Sequence, residues 1–238
     1  MKKQLKIVGK HMLLALLAFI WLIPIVWLLV TSFSSYKGIN TMHFFPQRWS
    51  LDNYMQLFFR PDTVANFPAW FRNSLIIGAA TCVISTLFVL MVAYAMSCMR
   101  FPARKQLMSI AIILGMFPGV LSMIAIYFVM KLLGLTDSMA GLIIIYSAGS
   151  GLGYLICKGF FDTIPVSLRE SAKLEGASEL SILVKIVIPL SKPIVVYTVI
   201  NAFLNPWMDF VMAKLMIRSK NPADWTVAMG LYLSLIHI

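Results

Sequence analysis

Five apolar runs, each bounded by charge or turn residues, recur along the chain at about 12–33, 74–98, 107–130, 139–161 and 194–214. A helix of roughly 20 such residues reaches across a hydrocarbon core of about 30 Å, so each run predicts a membrane-spanning helix. The breaks between runs are short and polar, except for a segment at 34–73 that carries Trp49, Tyr54, Phe58, Phe59, Phe67, Trp70 and Phe71. That segment is too aromatic for a disordered linker and is expected to pack on the outer membrane surface. The predicted organisation is an N-terminal span with its outer segment over 1–73, then a membrane core over 74–238 holding a polar loop at 162–193. No internal repeat, low-complexity tract or soluble domain is apparent.

Lys2, Lys3, Lys6 and Lys10 precede the first run in the manner of a signal peptide, but the run is too long and has no small-residue cleavage site. It reads as a retained span. Positive charge before it places the N-terminus in the cytoplasm, and alternation puts Arg100, Arg104, Lys105 and the loop at 162–193 on the same side. Composition agrees with an all-α integral membrane protein: 60% of residues are hydrophobic, 12% are charged, and the mean hydropathy is +0.86. The net charge of +11 would suit nucleic acid if the basic residues shared a soluble face, whereas here they occupy the breaks between apolar runs. Cys82, Cys98 and Cys157 have no paired spacing and read as packing residues; His11, His43 and His237 are scattered and form no metal pattern.

The stretch RESAKLEGASELSILVKIVIPLSKP, Arg169 to Pro193, sets charge, glycine and proline between two of the most apolar runs. Ser167 and Glu170 have the spacing of a capping box and predict a short helix starting there. Gly176 supplies the left-handed residue that ends a helix, Ser178 can cap a second, and Pro189 and Pro193 interrupt the backbone ladder where the chain re-enters the bilayer. The loop is therefore a helix, a glycine turn and a helix. Ser171, Ala172, Gly176 and Ala177 would let another protein approach closely, and Glu170 and Glu175 offer it charge. The alternative is an amphipathic loop lying on lipid, a role usually filled by a more basic polar face.

Glu170-Ser171-Ala172, Glu175-Gly176-Ala177 and, after a fixed gap, Ile186-Val187-Ile188-Pro189-Leu190 with Pro193 resemble the EAA motif of ABC importer permeases. Ser171, Glu175, Leu183 and Ile188 depart from the usual residues conservatively. Phe71-Arg72-Asn73-Ser74-Leu75, Ala93-Tyr94-Ala95 with Arg100-Phe101, Leu133-Gly134-Leu135-Thr136, Gly159-Phe160-Phe161 with Ile164-Pro165, and Trp207-Met208-Asp209-Phe210 continue the resemblance in order, closest to the maltose-type carbohydrate permeases. It implies the transmembrane domain of a type I ABC importer. Glu170, Ser171, Ala172, Glu175, Gly176, Ala177, Ile186 and Pro189 would then seat in a groove of a separate ATPase dimer. The other implied partners are a second homologous permease and an extracytoplasmic solute-binding protein, in a bacterial inner membrane. No cofactor is expected in this chain, and no G-x-x-x-x-G-K-[ST] is present to bind ATP.

Asn201, Asn205 and Asp209 recur every four residues, so on a continuous helix they share one face. Polar groups within a bilayer face a cavity or a partner helix. They can line a pathway, bonding sugar hydroxyls beside Tyr197 or Trp207, or they can form a seam between helices; Asp209 can equally anchor the chain near the outer face. Ala148 to Gly153, a glycine-rich interruption of the fourth run, has no strand before it and is no nucleotide fingerprint; close packing or a locally unwound helix remain. Pro118, with Gly115 and Gly119, predicts a kink in the third run. Rival functions are an ABC permease for a polyol, glycerophosphodiester or amino acid, a membrane anchor, and an intramembrane enzyme, for which no catalytic constellation is seen in the runs. The family's sixth span is expected to be missing, with 231–238 atypical.

Overall fold

A computed structural model describes residues 2–36, 43–59, 66–149 and 153–236. Ser150, Gly151 and Leu152 of the glycine-rich interruption, and His237 and Ile238, lie outside them. Among the described residues the regular elements are helices, and the chain divides into two compact units, 1–62 and 63–238.

In the first unit, helix α1 (Lys2–Ser32) passes through Pro24, and its apolar side chains from Ile7 to Leu29, Trp27 apart, are exposed. The chain then folds back before α2 (Asp52–Phe59). Ser34 bridges Trp49 in antiparallel fashion, and Asn53 donates to the Ser32 and Ser34 carbonyls, both at 3.0 Å. These bonds satisfy carbonyls that the end of a helix leaves without partners.

The second unit is built on α3 (Phe67–Cys98), a 32-residue helix about 48 Å long at 1.5 Å per residue. It begins seven residues before the predicted 74, because the Asn66 side chain accepts from the Ala69 N–H at 3.3 Å and Pro68 suits the first turn. One face of it is buried along its whole length and is largely small or polar, with Ser74, Gly78, Thr81, Ser85 and Ala93. Helices in lipid approach closely through such residues.

The remaining runs are bent. The expected single kinked span at 107–130 is instead two helices, α4 (Arg104–Gly115) and α5 (Gly119–Leu132), turned 106° from each other. Pro118 has no N–H to donate and steers Phe117 out of helical geometry, so α4 stops and α5 starts afresh with Pro118 as its N-cap. Helices α6 (Met139–Ala148) and α7 (Gly153–Phe161) differ in direction by 42°. After α8 (Val166–Leu174) come α9 (Glu179–Ile182), a π-helical turn at Leu183–Val187 and α10 (Ile188–Leu190). The chain then swings 92° into α11 (Lys192–Met208), followed by α12 (Val211–Met216), a 3-10 turn at Pro222–Asp224 and α13 (Val227–Ile236). Among the described residues α1, from Ile7, and α3 are each long and apolar enough to cross a membrane, and the crossings number up to five if each bent pair is one span.

Two cores sit along α3. Trp70 and Ile77 join Leu142, Tyr146, Met212 and Met229 near its start; Ala93 and Tyr94 join Cys157, Phe161, Ile164 and Ile182 near its end. At the first core, Asn73 donates to the carbonyls of Ala223 (2.8 Å) and Trp225 (3.0 Å), and the Ser74 hydroxyl accepts from Val227 N–H at 2.9 Å. Gly230 lies so close to the Trp70 ring that a Cβ there would stand 2.2 Å from ring carbon. Trp70, 1% exposed, has no room to yield. Gly230→Ala should therefore carry an overpacking penalty of about 1–3 kcal/mol, lowering the thermal midpoint in detergent by several degrees. Gly159→Ala, with nothing within 4 Å, should leave it unchanged or slightly raised.

Candidate functional site

The loop between α7 and α11 has the helix, glycine turn and helix that its sequence predicts, with one correction. Helix α8 starts at Val166 with Pro165 as its N-cap, at φ −54° and ψ 128°, and no side chain caps it. Ser167 is inside the helix, so the Ser167–Glu170 capping box does not form. The proline ring holds φ near the helical value and needs no donor, so Pro165 starts the helix before Ser167 can cap it. At the other end Gly176 adopts φ +82°, Ala177 N–H bonds the Ala172 carbonyl at 2.9 Å and Gly176 N–H bonds that of Lys173 at 3.0 Å. This paired closure is the Schellman motif, and it needs a left-handed residue at 176. Ser178 then caps α9, accepting from Ser181 N–H at 3.3 Å.

The loop has an inner and an outer side. Ala172, Ala177 and Ile186 are half-buried and pack on the second core. Glu170, Ser171, Glu175, Gly176 and Pro189 are exposed, and so are Leu174, at 90%, and Leu180, at 67%. An exposed leucine next to a turn is unremarkable singly; two of them flanking Glu175 and Gly176 give the outer side an apolar character.

Six residues hold this loop in a way the sequence reading gave them no part in. Tyr94, on α3, donates to Glu179 Oε2 at 2.5 Å, and Lys173 pairs with Glu179 Oε1 at 2.5 Å. One turn further, Ser97 donates to Asp162 Oδ1 at 2.6 Å, and Lys158 pairs with Asp162 Oδ2 at 2.6 Å. Bonds from Lys173 and then Tyr94 hold the Glu179 carboxyl below its usual range. At Asp162 burial opposes the charge, but the bonds from Lys158 and Ser97 outweigh it and again lower the pKa. The available signal was a tyrosine and a serine three apart at the polar end of an apolar run, facing acids at both ends of the loop.

A second feature is a groove of about 340 Å³ lined by Thr81 and Ser85 of α3, Tyr146 of α6, and Tyr197, Asn201 and Asn205 of α11. Asn201 and Asn205 are exposed within the chain, and Asn201 donates to the Tyr197 carbonyl at 2.8 Å. Asp209 does not continue their row. It lies beyond the end of α11 at φ −89° and ψ 108°, and its carboxylate accepts from Met212 N–H at 3.0 Å, starting α12. Tyr146 is the carboxylate's neighbour. Trp207 is likewise absent from the groove lining: its ring packs over Gly78 and edge-on to Phe71, with centroids 5.3 Å apart.

A helical, multi-span membrane protein with bent crossings, a polar groove between helices and a helix–glycine turn–helix loop at one end is the arrangement of a transport subunit. The chain belongs to the family of inner membrane components of binding-protein-dependent transport systems, which it matches over residues 90–231. It is 32% identical over 232 residues to the galactooligosaccharides transport system permease protein GanQ of Bacillus subtilis, covering 97% of this chain and 81% of that one. It is 33% identical over 208 residues to the maltodextrin transport system permease protein MalD of Streptococcus pneumoniae, covering 86% and 72%. Its fold is that of a chain of a bacterial ABC transporter involved in the import of the acidic polysaccharide alginate, with a TM-score of 0.78 at 24% identity, covering 97% of this chain and 78% of that one.

If Asp209 acts as a cap, Asp209→Asn should keep near-normal stability and Asp209→Ala should lose about 1 kcal/mol. Thermal unfolding of both variants in detergent checks this.

Proposed function

We propose that this chain is the permease subunit of an ATP-driven importer for oligosaccharides, forming part of the pathway and transmitting motion from a separate ATPase. The observation that carries the proposal is the two-sided loop: its inner alanines are packed on the core while Leu174, Leu180, Glu170 and Glu175 are presented outward. Membership of a binding-protein-dependent transport family supports an extracytoplasmic binding protein as a further partner, and a second homologous permease would complete the pathway. Lys10 and its neighbours before the first span support a cytoplasmic N-terminus, and alternation of the spans would put the loop on that side as well. The chain itself performs no chemistry in this reading; ATP binds to the partner.

The substrate class rests on the relatives, whose names specify galactooligosaccharides and maltodextrin, and on the groove. Thr81, Ser85, Tyr146, Tyr197, Asn201 and Asn205 bring hydroxyl and amide groups together with two aromatic rings. That combination suits a neutral polyhydroxylated solute, since amides and hydroxyls both donate and accept and a ring face packs on a sugar's apolar face. Transport then follows as rigid-body alternating access: ATPase closure moves the loop, and the bent helix pairs rearrange around the groove.

Leu174→Asp removes an apolar contact from the outer side without touching the core, so the chain should insert and melt normally. Stimulated ATP hydrolysis by the assembled importer should fall by about tenfold or more, the scale of an interface hot spot. Unchanged hydrolysis would remove the loop from the coupling pathway. Asn201→Ala and Asn205→Ala together should lower maltodextrin or galactooligosaccharide uptake with ATPase docking intact; uptake at the parental rate would place the solute elsewhere.

A further inference from the structure

Helix α8 is held at both of its ends by a single turn of α3. Before it, Asp162 accepts from Ser97 Oγ at 2.6 Å and pairs with Lys158 at 2.6 Å. After it, Glu179 accepts from Tyr94 at 2.5 Å and pairs with Lys173 at 2.5 Å. Tyr94 and Ser97 are three residues apart and so neighbours on one helical face. The two acids are 17 positions apart in sequence, with α8 and the glycine turn spanning the interval. The loop is thus a hoop whose two feet stand on adjacent positions of one rod. Lys158 and Lys173 belong to the hoop and its approach, so each foot neutralises its own charge while the bond to α3 comes from a hydroxyl.

We propose that Tyr94 and Ser97 are positioning residues for coupling, two hydroxyl latches that make the loop and the last turns of α3 one rigid body, so that a push on α8 is delivered to α3. The inference rests on the coupling reading of the loop. A hoop fixed at one foot would pivot about that foot, and its displacement would be absorbed in the loop. Fixed at both, it cannot rotate without moving the helix to which it is bonded. Helix α3 is the appropriate recipient, because it is unbroken from Phe67 to Cys98 and lines the groove at Thr81 and Ser85. Motion at Tyr94 therefore reaches the groove without crossing a bend. Apolar packing adds to this footing, with Ile164 and Ile182 buried beside Ala93 and Tyr94, but it is non-directional, whereas each hydrogen bond fixes one donor to one acceptor.

The test compares the complete importer carrying Tyr94→Phe and Ser97→Ala together, in lipid nanodiscs, with its parent. Tyr94→Phe keeps the buried ring and removes only the hydroxyl. Amide hydrogen exchange is followed across the loop and across the groove-lining part of α3, each with and without ATP and vanadate. The expected result is loop exchange faster by about tenfold, ATP hydrolysis retained, and loss of the nucleotide-dependent exchange change at Thr81–Ser85. Loop exchange equal to the parent's would overturn the latches. Faster loop exchange with an undiminished nucleotide response at the groove would overturn their part in transmission. Leu174→Asp in the same assay separates the two readings, because it alters the outer side of the loop and neither latch: hydrolysis unaffected by Leu174→Asp would defeat the coupling reading and leave the comparison of latch variant with parent standing.

Discussion

Continuous burial of one face of α3 is the constraint on which the second unit depends. A helix of that length in a membrane gains little from hiding apolar side chains, since lipid tails solvate leucine as well as protein does. What it can gain is close contact and satisfied polar groups. Ser74, Gly78, Thr81, Ser85 and Ala93 provide contact, and Asn73 and Ser74 bond the backbone of the segment leading into α13. The apolar residues of α3 are partly turned outward, with Val83, Leu87 and Phe88 exposed. Both cores form where other helices meet this small-residue face, one near Trp70 and the other near Tyr94.

This inversion limits what hydrophobic patterning can say. The apolar runs were legible because length and bounding charge suffice to mark a crossing, and they located α1, α3, the pairs α4–α5 and α6–α7, and α11, while the α9–α10 half of the third bent pair fell in the polar loop. Which side of each helix is buried was not legible, because the buried face of α3 is less apolar than the exposed one. Trp207 illustrates the problem. In sequence it is an aromatic close to two asparagines, and in the fold it covers Gly78, a glycine 129 positions away.

The loop was the most legible element, because its signals are local. A positive φ at Gly176 and a serine cap at Ser178 depend on residues within a turn of each other, and both are present. Two of the departures also have local causes. At Pro165 two starting signals competed and the ring prevailed over Ser167 as cap. At Asp209 a four-residue spacing was extended one step past the end of its helix, where the carboxylate is better used on the free N–H groups of α12. Tyr94 and Ser97 could not be assigned from sequence because their partners, 85 and 65 positions away, are set by tertiary contacts alone.

The division of the loop into two sides bears on how tightly it can engage another protein. A helix that becomes ordered only on binding loses part of its interaction energy to the entropy of ordering. Here α8 is closed by the Schellman turn and seated on the second core through Ala172 and Ala177, while Leu174 and Leu180 remain outside. The order is in place before any partner arrives. Contact made by the outer side is then available as affinity, and displacement of that side is available as motion. The spans above are not single rods: turns of 106° and 92° fall where α4 meets α5 and where α10 meets α11. A loop seated on the unbroken α3 therefore has one continuous helix through which displacement can pass, while the neighbouring runs are interrupted within their length.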